Sequence, residues 1–187
     1  MFARTERLLL RPGWREDAPA LFRAIADEEI VRNLALAPWP YSFTDAESFL
    51  MRERAARDVA CLIFLRTQGA PRLVGGIGFG RKPGDLEPEF GYWIARAYWG
   101  LGIATEAGRA LIANARDTLR LRRLDAGHFI DNPASGRVLQ KLGFRPTGAT
   151  RPRYSAGRQA EAQCREFVLE LAEADAEAEA DPQAMAA

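Results

Sequence analysis

The stretch Tyr98-Trp99-Gly100-Leu101-Gly102-Ile103-Ala104-Thr105-Glu106-Ala107 restricts the fold more than any other part of this sequence. Residues 87–94 before it, with Phe90, Tyr92, Trp93 and Ile94, read as a strand. From 102 to about 118, Ile103, Ala107, Ala110 and Leu111 recur at helical spacing, and 123–130 is strand-like again. A strand, a helix and a strand in succession require a right-handed crossover that lays the two strands parallel in one sheet. The turn between strand and helix also carries chemistry. Glycine at 100 and 102 lets the backbone approach a ligand closely. The first amides of the helix, aligned with its dipole, suit an anion, and phosphate is the natural guest. The pattern G-x-x-x-x-G-K-[ST] is absent, and G-x-G-x-x-G fails because Thr105 stands where a third glycine belongs. Taken alone, the stretch fits either a phosphate cradle or a glycine-softened turn that binds nothing.

The rest of the chain supplies a mixed sheet. Residues 5–12 read as a first strand. Asp17 is expected to cap a helix with Pro19 in its first turn, and 27–33 to form a short second helix. Ala37-Pro38-Trp39-Pro40-Tyr41 cannot be regular structure. Thr44-Asp45-Ala46-Glu47 has the capping-box pattern and predicts a helix to about Arg57. Strands are expected over 59–66, 73–80 and 87–94 as an antiparallel meander, joined at Gln68-Gly69 and Pro83-Gly84. The glycines at 75, 76, 78 and 80 are read as sites of close backbone or ligand approach. Asn132-Pro133 opens a last helix, Val138, Leu139 and Leu142 face inward, and Gly143 closes it. Residues 144–150 and 165–171 are expected to form a final strand pair. The fold class is α/β (α+β, mixed): about seven strands, largely antiparallel, with helices on both faces.

One domain over 1–171 is followed by an Ala/acid-rich tail over 172–187. The tail holds five acids and no bases, which leaves the 26 basic and 20 acidic residues of the domain at +6 although the chain is +1. A basic body suits an anionic ligand and equally a soluble, Arg-rich surface. At 48% hydrophobic and 27% charged, the 187 residues exclude a disordered or fibrous chain. No run approaches the length of a membrane span, which needs roughly 20 apolar residues. Cys61 and Cys164 cannot build a disulfide framework, so a cytoplasmic protein with reduced thiols is expected. A single histidine, His128, and two distant cysteines predict no metal site.

Phe90-Gly91-Tyr92-Trp93-Ile94 together with Tyr98 to Ala107 resembles the GNAT superfamily of N-acetyltransferases. The branch that includes the ribosomal-protein N-terminal (Rim-type) acetyltransferases is the most similar. The family's loop reads [QR]-x-x-G-x-[GA]; Gly102 and Ala104 match its fourth and sixth positions, and Trp99 stands where Gln or Arg is usual. A second block agrees, Asn132-Pro133-Ala134-Ser135 and Val138-Leu139-Gln140-Lys141-Leu142-Gly143-Phe144. So does the opening Thr5-Glu6-Arg7-Leu8-Leu9-Leu10-Arg11.

The resemblance implies a fold in which 87–94 and 123–130 splay into a V that receives the pantetheine arm of acetyl-CoA. The arm would pair with backbone at Trp93, Ile94 and Ala95. The pyrophosphate would sit on the loop of Trp99, Gly100, Leu101, Gly102, Ile103, Ala104 and Thr105, and Asn132 would bond the pantetheine amides or cap its helix, or both. The implied reaction is attack by a primary amine on the thioester. Glu89 occupies the strand position of the base in some members, against an ordinary role as one acid of Glu87-Pro88-Glu89. Where many members carry a tyrosine acid this chain has Leu139, so Ser135 becomes the candidate donor to the thiolate, unless it is simply a first-turn residue. His128 is read as packed or solvated, not as a base. Trp39, Tyr41, Arg153 and Tyr154 are candidates for lining the acceptor site, with core packing the competing role for the aromatics.

The resemblance favours a protein or peptide N-terminal α-amine as acceptor. It leaves open a small amine (polyamine, amino acid or aminoglycoside), or a non-catalytic acyl-CoA-binding or ribosome-associated module. Expected partners are acetyl-CoA and the acceptor, with no membrane and no direct nucleic-acid contact, in a monomer or homodimer.

Overall fold

In a computed structural model that describes residues 1–81, 84 and 86–171, the most apolar strand lies inside the sheet. This is β3 (Val59–Leu65), whose neighbouring side chains Leu62 and Ile63 are both fully buried, on opposite faces. Ile63 belongs to one apolar cluster, and Leu62 and Phe64 belong to a second. A strand so placed needs cover on both sides. Helices α1 (Ala18–Ile25), α2 (Glu28–Val31) and α3 (Phe43–Met51) supply one layer; α4 (Ile103–Asp117) and α5 (Pro133–Lys141) supply the other.

The remaining strands are β1 (Ala3–Arg4), β2 (Leu8–Arg11), β4 (Arg72–Gly80), β5 (Glu89–Ile94), β6 (Arg123–Phe129), β7 (Arg145–Ser155) and β8 (Ala160–Glu170). Among the described residues these make one eight-stranded sheet in the order β1-β2-β3-β4-β5-β6-β8-β7. The antiparallel meander β3-β4-β5 and the parallel pair β5-β6 across α4 match the sequence reading. Glycine gives β4 its close contacts. A Cβ at Gly76 would lie 2.5 Å from the Trp93 indole nitrogen, so the indole can lie flat on that strand.

Several boundaries differ from expectation. The first strand is two short ones paired with each other, because Thr5 Oγ1 accepts the Leu8 amide at 3.0 Å and turns the chain. Asp17 does not cap α1. Its carboxylate accepts the Trp14 amide at 2.8 Å and holds Arg11 at 2.7 Å, and the backbone at Asp17 is already helical. The capping box of α3 is Ser42 with Asp45, two residues earlier than the Thr44 pattern. That helix stops at Met51 because 52–57 has no apolar face to bury and is exposed. The last two strands are a long hairpin of 11 residues each, and Phe144 precedes it as a core residue. Gly143 does close α5, at φ +92°. Pro83, expected in a hairpin turn, and the tail over 172–187 lie outside the described residues.

Candidate active site

Strands β5 and β6 pair at Glu89↔Asp125 and Phe90↔Ala126, and then part. Each keeps its outer partner beyond that point: β5 follows β4 to Ile94↔Gly75, and β6 follows β8 to Phe129↔Cys164. The result is the expected V, with backbone groups along its edges. The Asp125 amide donates to the Pro88 carbonyl at 3.1 Å, so even-numbered residues of this stretch face β6. The Ala95 amide donates to the Val74 carbonyl at 2.8 Å, so odd-numbered residues face β4. Above Phe90 the gap is therefore edged by the backbone of Tyr92 and Ile94. Trp93 and Ala95, expected there, turn their backbone to β4. The Ile94 carbonyl is already bonded at 2.7 Å by the Trp99 indole N–H. Trp99 thus braces the loop while remaining 46% exposed.

On the α4/α5 side the loop runs directly into α4. Gly100 and Gly102 have φ +75° and +76°, in the region that favours glycine. Gly102 is the N-cap, without a side-chain bond to the helix amides. The first amides of α4 therefore face outward, as the first four of any helix do without a cap. A Cβ at Gly100 would meet nothing within 4 Å, so the loop surface is open. The N-terminal hairpin secures this loop. Arg7 Nη1 donates to the Leu101 carbonyl at 3.1 Å, and Arg7 Nε donates to Glu106 Oε2 at 2.7 Å. Thr5 Oγ1 donates to Glu106 Oε1 at 2.5 Å. Burial pushes the Glu106 carboxyl up, but the bonds from Thr5 and Arg7 outweigh it and hold the group below its usual range. The motif 5–11 was recognisable in the sequence; its attachment to α4 was not.

The same side carries Ser135. Its amide donates to Asn132 Oδ1 at 3.2 Å, so Asn132 caps α5. Its hydroxyl receives a hydrogen bond at 3.0 Å from Tyr92, a residue sequence reading placed only on a strand. His128 is buried, donates from Nδ1 to the Phe129 carbonyl at 2.8 Å and tilts on Phe167.

The opposite face holds Glu89, since side chains alternate along β5 and Phe90 points to α4. Glu89 is ion-paired with Arg153 of β7. A depression of about 600 Å³ lies between α2 and the β7-β8 turn, with walls that include Glu28, Trp39, Arg158, Glu161 and Ala162 but not Glu89. Arg153 pairs with Ala162 in the hairpin, which puts Glu89's partner at the rim of this depression. Trp39 thus lines it, and Tyr154, 57% exposed, pairs with Glu161. Tyr41 does not reach it. It is 7% exposed within the α1–α3 cluster, and burial, aided by Asp45, pushes its hydroxyl up to about 12. Asp131, one residue before Asn132, holds both Arg158 at 2.8 Å and Arg32 at 3.2 Å.

Where β5 and β6 part, the amide-rich loop and Ser135 lie on one face of the sheet and the Glu89 carboxylate on the other. Residues 7–145 match the model of the acetyltransferase (GNAT) domain. The uncharacterised N-acetyltransferase YoaA of Bacillus subtilis is 30% identical over 151 residues, covering 79% of this chain and 84% of that protein. The ribosomal-protein-serine acetyltransferase of Escherichia coli is 37% identical over 73 residues, 38% of this chain and 41% of that protein. Among solved structures, a GNAT-family acetyltransferase from Bacillus anthracis shares the fold. Its TM-score is 0.77 at 24% identity, over 91% of this chain and 98% of that one. The chain belongs to the GNAT acetyltransferase family and is an N-acetyltransferase. No helix among the described residues is long and apolar enough to cross a membrane, and none of their His, Cys, Asp and Glu side chains cluster as a metal site.

Proposed function

We propose that the chain transfers an acetyl group from acetyl-CoA to the α-amine of a protein or peptide N-terminus. The observation that carries this reading is the parting of β5 and β6 beyond Phe90, with the α4 loop on one face and the Glu89–Arg153 pair on the other. The amides of Ile103, Ala104 and Thr105 would hold the pyrophosphate, where the helix dipole favours negative charge. The backbone edges of Tyr92 and Ile94 would pair with the pantetheine. Glu89, directly or through one water, would take the proton from the acceptor nitrogen as it attacks the thioester carbon. Ser135 would donate a hydrogen bond to the sulfur as the C–S bond breaks. Leu139, buried at 1% exposure, supplies no acid there.

Base strength favours this acceptor class. A carboxylate is a weak base, with an ordinary pKa of about 4.3. That suffices for an α-amine of pKa about 7.7–8.0, much of which is neutral near pH 7.5. It falls far short for a lysine near 10.4. A depression of about 600 Å³ has room for a peptide end, and the name of the Escherichia coli relative points the same way. The test is release of CoA thiol from acetyl-CoA with acceptors of each class: peptides with free and blocked N-termini, a lysine-only peptide, polyamines and an aminoglycoside. Release with the free N-terminus alone supports the proposal. Release with polyamine or aminoglycoside replaces the acceptor, and acetyl-CoA binding without release makes the chain a binding module.

A further inference from the structure

Tyr92 and Ser135 are 43 residues apart in the chain, yet their hydroxyl oxygens lie 3.0 Å apart. The contact bridges from β5 to the first turn of α5, above the point where the β5-β6 ladder has ended. Both partners are held in place. The Tyr92 ring packs on Phe90, centroids 6.1 Å apart, against the apolar cluster under α4 and α5. The Ser135 amide is tied to Asn132 Oδ1. A hydroxyl has one proton to give and two lone pairs to accept with. With Tyr92 as donor, the Ser135 proton cannot point back at the tyrosine oxygen and must be directed elsewhere. Burial raises the Tyr92 pKa, so the phenol keeps its proton throughout the neutral range.

We propose that Tyr92 is a positioning residue: by donating to Ser135 Oγ, it aims the serine hydroxyl at the sulfur that leaves during acetyl transfer. The inference rests on the acetyl-transfer reading above. In that step the adduct formed by the attacking nitrogen collapses, the C–S bond breaks and its electron pair moves onto sulfur. The acceptor nitrogen's proton goes to Glu89 or water. The thiolate leaves hydrogen-bonded to Ser135 O–H and takes its proton from solvent after release. Neither hydroxyl is deprotonated, which fits a thiol near pKa 8.5 and a far less acidic serine.

The test is a double-mutant cycle in the thiol-release assay, with thermal unfolding as the check on folding. Tyr92→Phe keeps the ring and removes the donor. It should lower kcat about tenfold and leave the KM for acetyl-CoA within about twofold. In a Ser135→Ala background the same change should cost less than about twofold, because the hydroxyl it orients is gone. Ser135→Thr, which retains a hydroxyl, should restore sensitivity to Tyr92→Phe. An unchanged kcat in Tyr92→Phe, an equal loss in the Ser135→Ala background, or a loss confined to KM overturns the positioning role while leaving the enzyme reading intact. A wild-type protein that binds acetyl-CoA but releases no thiol with any acceptor overturns the acetyl-transfer reading, and this inference with it.

Discussion

Arg153 of β7 is ion-paired with Glu89 of β5, although two strands stand between them in the sheet. The guanidinium passes over β6 at Gly127, where an added Cβ would lie 3.8 Å from Arg153 Nη1. Removing either partner separates two effects. Arg153→Met leaves the Glu89 carboxylate partly buried without this cation, and should cost about 1.5–3 kcal/mol in denaturant unfolding. Glu89→Gln should lower kcat about a hundredfold with little change in the KM for acetyl-CoA, as expected for loss of a base on the acceptor side. A Glu89→Gln enzyme with wild-type kcat would reduce Glu89 to a structural partner of Arg153.

The glycine loop makes a prediction about binding. At φ +75°, Gly100→Ala incurs about 1–2 kcal/mol of backbone strain, and its methyl group would project into the open space beside the α4 amides. Acetyl-CoA affinity measured by calorimetry should fall at least about tenfold. Thermal stability should fall by only a few degrees. Equal affinity in the variant would place the pyrophosphate elsewhere.

Glu106 makes the attachment of β1-β2 to α4 sensitive to acid. Its folded pKa lies below the ordinary carboxylate value of about 4.3, so the stabilisation it gives is complete above that value. The stabilisation is lost as pH falls through the lower, folded value. Glu106→Gln should therefore be less stable than wild type near neutrality, and the gap should narrow as pH falls below about 4. Urea unfolding midpoints across pH 7 to pH 3 provide the measurement. Asp17 and Asp131 are also held low, by Arg11 and Arg158, so the variant should keep part of its acid sensitivity. A gap that stays constant with pH would show that the Glu106 charge is not what stabilises the hairpin.

We propose that the competent domain ends at Leu171. Its side chain is buried at 7% exposure and its amide donates to the Arg122 carbonyl at 2.8 Å. A chain ending at Leu171 should bind acetyl-CoA as the full chain does. One ending at Phe167 loses the Val168↔Asp125, Leu169↔Leu124 and Glu170↔Arg123 pairs of β8 with β6, along with the buried Leu171, and should be markedly less stable in thermal unfolding. Loss of binding in the longer truncation would extend the domain into the acidic segment.

The parts legible in the sequence were those with local causes. Positive-φ glycines at 100 and 102, Asn132 with Pro133, and Gly143 all constrain their own backbone, and each stands where its residue type predicts. Alternation and helical period placed β3, β4, β5, α4 and β6 to within a residue or two. Local patterns failed where a distant group competed for the same atoms. Asp17 looked like a helix cap, but Arg11 and the Trp14 amide hold its carboxylate. Residues 5–7 looked like strand, but Thr5 and Arg7 bend toward Glu106 on α4.

By itself, then, the sequence determined the order of elements, the crossover and the glycine turn that opens α4, because backbone sterics and hydrophobic period act over a few residues. Tertiary structure alone decided that Trp99 closes the Ile94 carbonyl, that Tyr92 meets Ser135, that Arg153 reaches Glu89 and that Tyr41 is core. Except for the short-range Trp99 bond, these depend on where β5 and β6 part and on how far β7 and β8 extend. That divergence is set by the packing of two helical layers on opposite faces of one sheet, and no short stretch of residues encodes it.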